Sequence, residues 1–218
     1  ANDFFGATPD DQMYIDDYLM EDLNPPPPFP PPTNLTGPSS VTQGEPIELM
    51  WDAPGGSGNG EWIQSDAGVN NENGIGLTGG GTFYVASHWL PSDLTPYNGQ
   101  YLSKINFFPL GDPVATFNLY VWIGAIAGTQ VLRQVIGSYA VDTWNEITLS
   151  SRVMINASQE FWFGYSVTHD GGTFPAGTAD DSAVGGKDDI ISLDGTSWAA
   201  MGSTHGLNYN WNLAGWVA

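Results

Sequence analysis

The stretch TFNLYVWI, Thr116 to Ile123, alternates polar and apolar residues and is rich in β-branched and aromatic side chains, the pattern of a strand with one face in a core and one face wet. Around it lie seven further runs of the same kind: TFYVASHW, YLSKINFF, TQVLRQVI, EITLSS, EFWFGYSVT, DDIISL and NYNWNLAGWV. Gly, Pro, Asn and Asp turns separate them, and no run over residues 61–218 has the length of a helix. Many short strands joined by turns predict an all-β chain, and the spacing suits a double-sheet jelly roll or related sandwich. Residues 55–218 are read as that jelly-roll β-sandwich.

The N-terminal part reads differently. Pro25 to Pro32 holds seven prolines in eight residues, a run that adopts polyproline II at about 3.1 Å per residue and acts as a spacer; residues 25–33 form this linker. Residues 1–24 precede it and admit two readings. Thr8-Pro9-Asp10-Asp11 has the cap, proline and acids of a helix start, and Tyr14, Ile15, Tyr18, Leu19 and Leu23 fit helical spacing. The run from Met13 to Met20 equally forms a short aromatic-rich strand. After the linker, residues 34–54 give Leu35 and then alternating Ile47, Leu49 and Trp51 before Pro54, two strand candidates that cannot form a sandwich alone.

Composition narrows the function classes. With Lys104, Arg133, Arg152 and Lys187 against 24 acids, the formal charge is −20. The chain therefore offers no basic face to nucleic acid. It has no run near the roughly 20 apolar residues of a spanning helix, so membrane insertion is not expected. Divalent cations are its natural small partners. The absence of cysteine excludes disulfides and thiolate sites and is compatible with cytosol or with bacterial export. A start at Ala1-Asn2 is what removal of a signal peptide would leave.

Taken in order, EWIQSDAG, FYVASHWLPSDLTPYNGQYLSKINFFP, LYVWIG, VDTWNEITLSSRVMINASQEFWFGY, FPAG, DDIISLDGTSW and NWNLAGWV resemble a jelly-roll module of large bacterial surface and secreted proteins, akin to the cleaved-adhesin domains that follow gingipain-type proteases. Residues 32–54, with Pro-x-Asn-Leu and a strand ending Trp-x-x-Pro, resemble the first two strands of a fibronectin type III domain. The Ile15-Asp16-Asp17 run resembles the closing strand of a preceding jelly roll, which favours strand over helix there. The resemblance implies export to the extracellular space or bacterial cell surface, an adhesive or matrix role, structural calcium in some members, and no catalysis by this module. It also makes the chain look like a slice of a modular protein.

Motifs for chemistry are few. Gly74 to Gly79 spells G-x-G-x-x-G, but a strand follows where a dinucleotide site needs a helix N-terminus. His88, His169 and His205 lack zinc-site spacing, and His169-Asp170 has no G-x-S-x-G nucleophile to serve. Hard oxygen donors gather in two stretches read as Gly-containing loops, Asp66 to Gly74 and Asp180 to Asp189, where Asp66, Glu72, Asp180, Asp181, Asp188 and Asp189 are candidate calcium ligands. Acids and amides suit loops for solvation alone as well. Trp89 and Trp198 stand near turns and are candidate sugar-stacking residues, whereas Trp122, Trp162 and Trp211 fit the core. Asn34 and Asn156 head glycosylation sequons, and Asp181-Ser182-Ala183 resembles a short bacterial O-glycan site on Ser182.

The expectation is a non-catalytic extracellular structural or adhesive β-sandwich, a subunit of a surface filament or a module of a large secreted protein. It would assemble with other copies or neighbouring modules through Tyr14, Ile15, Tyr18, Leu19, Ile47, Leu49 and Trp51. The alternative is a carbohydrate-binding module with glycans as partners.

Overall fold

Two antiparallel sheets face each other over one core. In the computed structural model, residues 33–36, 50–52, 60–66, 68–179 and 181–218 are described, and the chain divides into two compact units, Ala1–Gly56 and Ser57–Ala218. In the first unit, β1 (Thr33–Thr36) pairs antiparallel with β2 (Met50–Asp52), Thr33 lying opposite Asp52 and Thr36 opposite Met50. Asn34 lies in β1 and Trp51 in β2. Tyr14, Ile15, Tyr18, Leu19, the proline run, Ile47 and Leu49 lie outside the described residues.

The second unit begins with β3 (Glu61–Ile63), β4 (Asn70–Ile75), β5 (Gly80–Trp89), β6 (Tyr101–Phe107) and β7 (Thr116–Ile123). It continues with β8 (Thr129–Val135), β9 (Asn145–Met154), β10 (Phe161–Asp170), β11 (Ala176–Ala179), β12 (Ile190–Ser192), β13 (Trp198–Ala200) and β14 (Leu213–Val217). One sheet has the order β13-β12-β5-β10-β7-β8 and the other β3-β14-β6-β9, with β11 and β4 as a separate pair. The chain passes repeatedly between the sheets, in the jelly-roll manner, and the protein is an all-β sandwich. The helical segments of this unit are single turns, Pro91–Leu94, Thr95–Tyr97 and Met201–His205. Among the described residues no helix is long and apolar enough to cross a membrane.

Strand alternation builds the core. Phe83 and Val85 of β5, Phe117, Leu119 and Val121 of β7, and Phe163, Tyr165 and Val167 of β10 point inward and are at most 1% exposed. Leu102, Ile105 and Phe107 of β6 and Leu213 and Val217 of β14 meet them from the other sheet, each fully buried. Each such side chain contributes roughly 1.5–3 kcal/mol of transfer free energy. The seam between the edge strands β8 and β9 is bridged by one amide: Gln134 Nε2 donates to the Thr148 carbonyl at 3.0 Å and its Oε1 accepts from the Ser150 N–H at 2.6 Å.

Strand β7 has the bounds the sequence predicts, and Thr116 and Asn118 keep the start of its outer face accessible, but the rest of that face is covered. Tyr120 and Trp122 are 6% and 4% exposed and join Ala86, Ala127, Trp162 and Ile190 in a second apolar cluster. Trp198 packs edge-on to Trp122 at 5.1 Å and Tyr84 packs on Tyr120 at 5.6 Å. The large outward aromatics are thus covered by neighbours, including the turn after β12, where Gly195 at φ 75° lies against the Tyr84 ring.

Candidate cation-binding site

Three chain segments converge where β3 ends, β12 begins and β14 begins. Asp66 follows β3 in a tight turn, its Oδ1 accepting from the Gly68 N–H at 3.0 Å. β4 pairs with β11, Asn70 lying opposite Ala179 across an irregularity. Thr178 of β11 in turn bridges to Trp211. These pairings bring Asn70 against Asn212, where Asn70 Nδ2 donates to Asn212 Oδ1 at 2.7 Å and Asn212 Nδ2 donates to Asp66 Oδ2 at 3.3 Å. The Trp211 N–H donates to the Asp188 carbonyl at 2.8 Å and fixes the third segment.

Asp188 is the unusual member. It is fully buried, and neither carboxylate oxygen has a well-formed hydrogen bond among the described residues, although Ser87 and Ser65 lie near enough to favour its charged form as donors. Oγ of Ser65 and Oδ1 of Asp181 are likewise buried and unpartnered. Burial pushes the Asp188 carboxyl up, against the opposing influence of Ser87, Ser65 and Lys187. Burial also pushes Asp66 up to about 6; its bonds from Gly68 and Asn212 oppose this, and the charges of Asp188 and Asp181 add to it. A buried carboxylate without partners is costly, and several together repel. A hard cation relieves both costs, because calcium takes six to eight oxygens from carboxylates, carbonyls, amides and hydroxyls.

Among the described residues, no three His, Cys, Asp or Glu side chains stand close enough to form a ready-made metal cage. Asp66 and Asp188 would be the carboxylates available to a cation, with Asp181 nearby and Ser65 as a neutral oxygen donor; Asn212, whose Oδ1 accepts from Asn70, positions Asp66.

The other expected ligands go elsewhere. Glu72 is exposed at φ 62°, and the stretch expected as one loop from Asp66 to Gly74 contains strand β4. Asp189 is 1% exposed, but its Oδ1 accepts from the Gly186 N–H at 2.7 Å and so closes a turn. Asp180 lies outside the described residues. Ser65, Asn70 and Asn212 are contributors that sequence reasoning missed; the recurring Asn of Asn208-Tyr-Asn-Trp-Asn212 was the available signal, hidden inside a presumed strand.

Trp89 cannot serve as a sugar platform: it is 6% exposed, its Nε1 donates to Ser87 Oγ at 2.7 Å, and the Lys187 ammonium sits 4.2 Å from its ring centre. Trp198 is half-buried in the outer aromatic cluster, with Nε1 buried and unpartnered. Ser182 is exposed in its loop, and its carbonyl accepts from Asn210 Nδ2 at 2.8 Å. Asn156 is exposed in a turn, its Oδ1 accepting from the Ser158 N–H and Oγ. The glycine motif spans the end of β4 and the turn into β5. His169 is consumed structurally, Nε2 accepting from the Leu77 N–H at 3.0 Å and Nδ1 facing the Asp170 carbonyl at 2.9 Å.

Comparison with known proteins adds little. No family model and no curated protein matches the chain. Two solved structures of infectious bursal disease virus are similar at a low level: the Gx strain at 13% identity and TM-score 0.28, the Gt strain at 9% and 0.19. Each match covers 83% of this chain and only 41% and 44% of the viral chains, so this chain spans less than half of either.

Proposed function

We propose that this chain is a non-catalytic structural module of an extracellular or cell-surface protein, with a sandwich held at one end by a calcium ion. The carrying observation is Asp188, a fully buried carboxylate with no well-formed hydrogen bond and only Ser87 and Ser65 near it as donors, beside Asp66 and Asp181. Asp66 and Asp188 would hold the ion; Asn212 and Asn70 orient Asp66; the fold buries the Asp188 carboxylate away from water. Calcium would supply positive charge and a junction of three chain segments. A site of two or three carboxylates in ordinary turns suits the weak, millimolar class of extracellular calcium modules, and this supports an extracellular location.

The module would work by assembly, its N-terminal segment joining other copies or neighbouring modules. That segment is acidic and proline-rich, and an ordered partner surface would offset ordering costs of about 1–2 kcal/mol per residue. Thermal melting of the full chain in EGTA and then in excess calcium tests the reading: a rise in midpoint with calcium supports it, by mass action on the folded state, and an unchanged midpoint overturns it. The alternative, carbohydrate binding, finds no support at Trp89 and rests on a different, polar surface.

A further inference from the structure

A pocket of about 270 Å³ opens beside the buried carboxylates, lined by Asn71, Asn73, Asp181, Ser182, Asn208 and Tyr209. Its walls are pre-built. Asn71 Nδ2 donates to the Ala179 carbonyl at 2.7 Å, and its Oδ1 accepts from Thr178 Oγ1 and the Asn73 N–H, both at 2.9 Å. Asn208 Oδ1 accepts from the Ala183 N–H at 3.2 Å. The buried Asp181 Oδ1 has no hydrogen-bond partner among the described residues, and the side chains of Asn208, Ser182 and Tyr209 line the same pocket.

The chemistry of this lining selects a ligand class. No Lys, Arg or His lines the pocket, so in a chain at −20 an anionic ligand would meet only repulsion. Amides and hydroxyls that both donate and accept match vicinal hydroxyl groups. The half-buried Tyr209 packs its ring against the core and lines the pocket, adding a phenol that can donate and accept.

We infer that this pocket binds a neutral pyranose sugar through Asn73, Asn208, Ser182 and Tyr209. The site deepens the carbohydrate reading and shares only Asp181 with the carboxylate cluster, so it stands or falls separately from the calcium site. Because the walls are fixed before binding, the cost of ordering them is already met.

The test is titration of the full chain with glucose, galactose, mannose and N-acetylglucosamine and their short oligomers, read by saturation-transfer NMR and calorimetry with calcium present. Saturable binding of at least one neutral sugar is expected. Asn208→Ala, at an exposed position, should weaken it by about tenfold, the effect of removing one well-placed polar contact, with at most a small fall in melting midpoint from the lost Ala183 N–H bond; Asn73→Ala is the second variant should the first lose folding. Failure of every neutral sugar to saturate, binding of acidic sugars alone, or wild-type affinity in both variants overturns the inference. Calcium stabilisation without sugar binding overturns it alone, leaving the cation reading intact. Sugar binding without calcium stabilisation upholds it and overturns the cation reading.

Discussion

Asn212 donates through Nδ2 to Oδ2 of Asp66 at 3.3 Å across 146 residues of sequence. That one bond ties the first turn of the sandwich to the approach of its last strand. Asn212 in turn accepts from Asn70 at 2.7 Å, which fixes which way its amide points. The carboxylate cluster is therefore held by neutral groups whose geometry does not depend on pH, while its charges remain in conflict.

Asp188→Asn follows from that conflict. The substitution removes a buried charge and keeps the shape, so the metal-free variant should melt higher than the metal-free parent. The shift is about 2–4 °C for each kcal/mol in a chain of this size. The same variant should lose the rise that calcium gives the parent. Paired melts in EGTA and in calcium check both signs.

The pH dependence of the metal-free protein should carry the mark of Asp66. Its carboxyl rises from 3.8 to about 6 on folding, so the folded state holds a proton that the unfolded chain releases. This contribution is fully present below pH 3.8 and is lost as pH rises through about 6. The change is about 3 kcal/mol at 1.36 kcal/mol per pKa unit, and the upward direction at Asp188 adds to the same trend. Calcium replaces the proton and should flatten the curve. Denaturant melts between pH 4 and 8, with and without calcium, measure the slope.

Tyr165→Phe should stabilise. The Tyr165 side chain is fully buried, its hydroxyl has no partner among the described residues, and burial holds its ionisation far above the ordinary range. Removing an unsatisfied hydroxyl recovers part of a penalty of about 1–3 kcal/mol. Its neighbour gives the opposite result: Phe163→Ala, also fully buried, should cost about 3–5 kcal/mol. Chemical denaturation of the two variants compares them.

Deleting residues 1–32 should leave Ser57–Ala218 folded, since that unit has its own core, and should abolish self-assembly of the full chain. Light scattering and electron microscopy read the outcome. Unchanged polymers would rule out the N-terminal segment as the assembling element.

The fold was legible where side-chain period and turn residues agree. TFNLYVWI alternates, ends at turns and is β7 with the expected bounds; TQVLRQVI gives β8 almost as directly. β4 was hidden because its sequence, NNENGI, carries loop-forming residues, and its strand geometry comes from pairing with β11 and from Asn side chains bonding across. β11 and β13, with four and three residues, are too short for any period to show. The candidate cation site was half legible. Asp66 and Asp188 stand out as acids, but sequence cannot separate Asp188 from Asp189. Both precede β12, and the turn into it separates them: the Asp189 carboxylate accepts from the Gly186 N–H, while Asp188 is buried without a well-formed bond. Long-range pairing alone reveals Asn212 and Asn70.

Calorimetric titration of calcium into the EGTA-treated full chain, alongside Asp188→Asn, tests the central claim most directly. The account predicts saturable binding near one ion per chain in the parent and none in the variant. Absence of binding by the parent, or equal binding by both proteins, would contradict it.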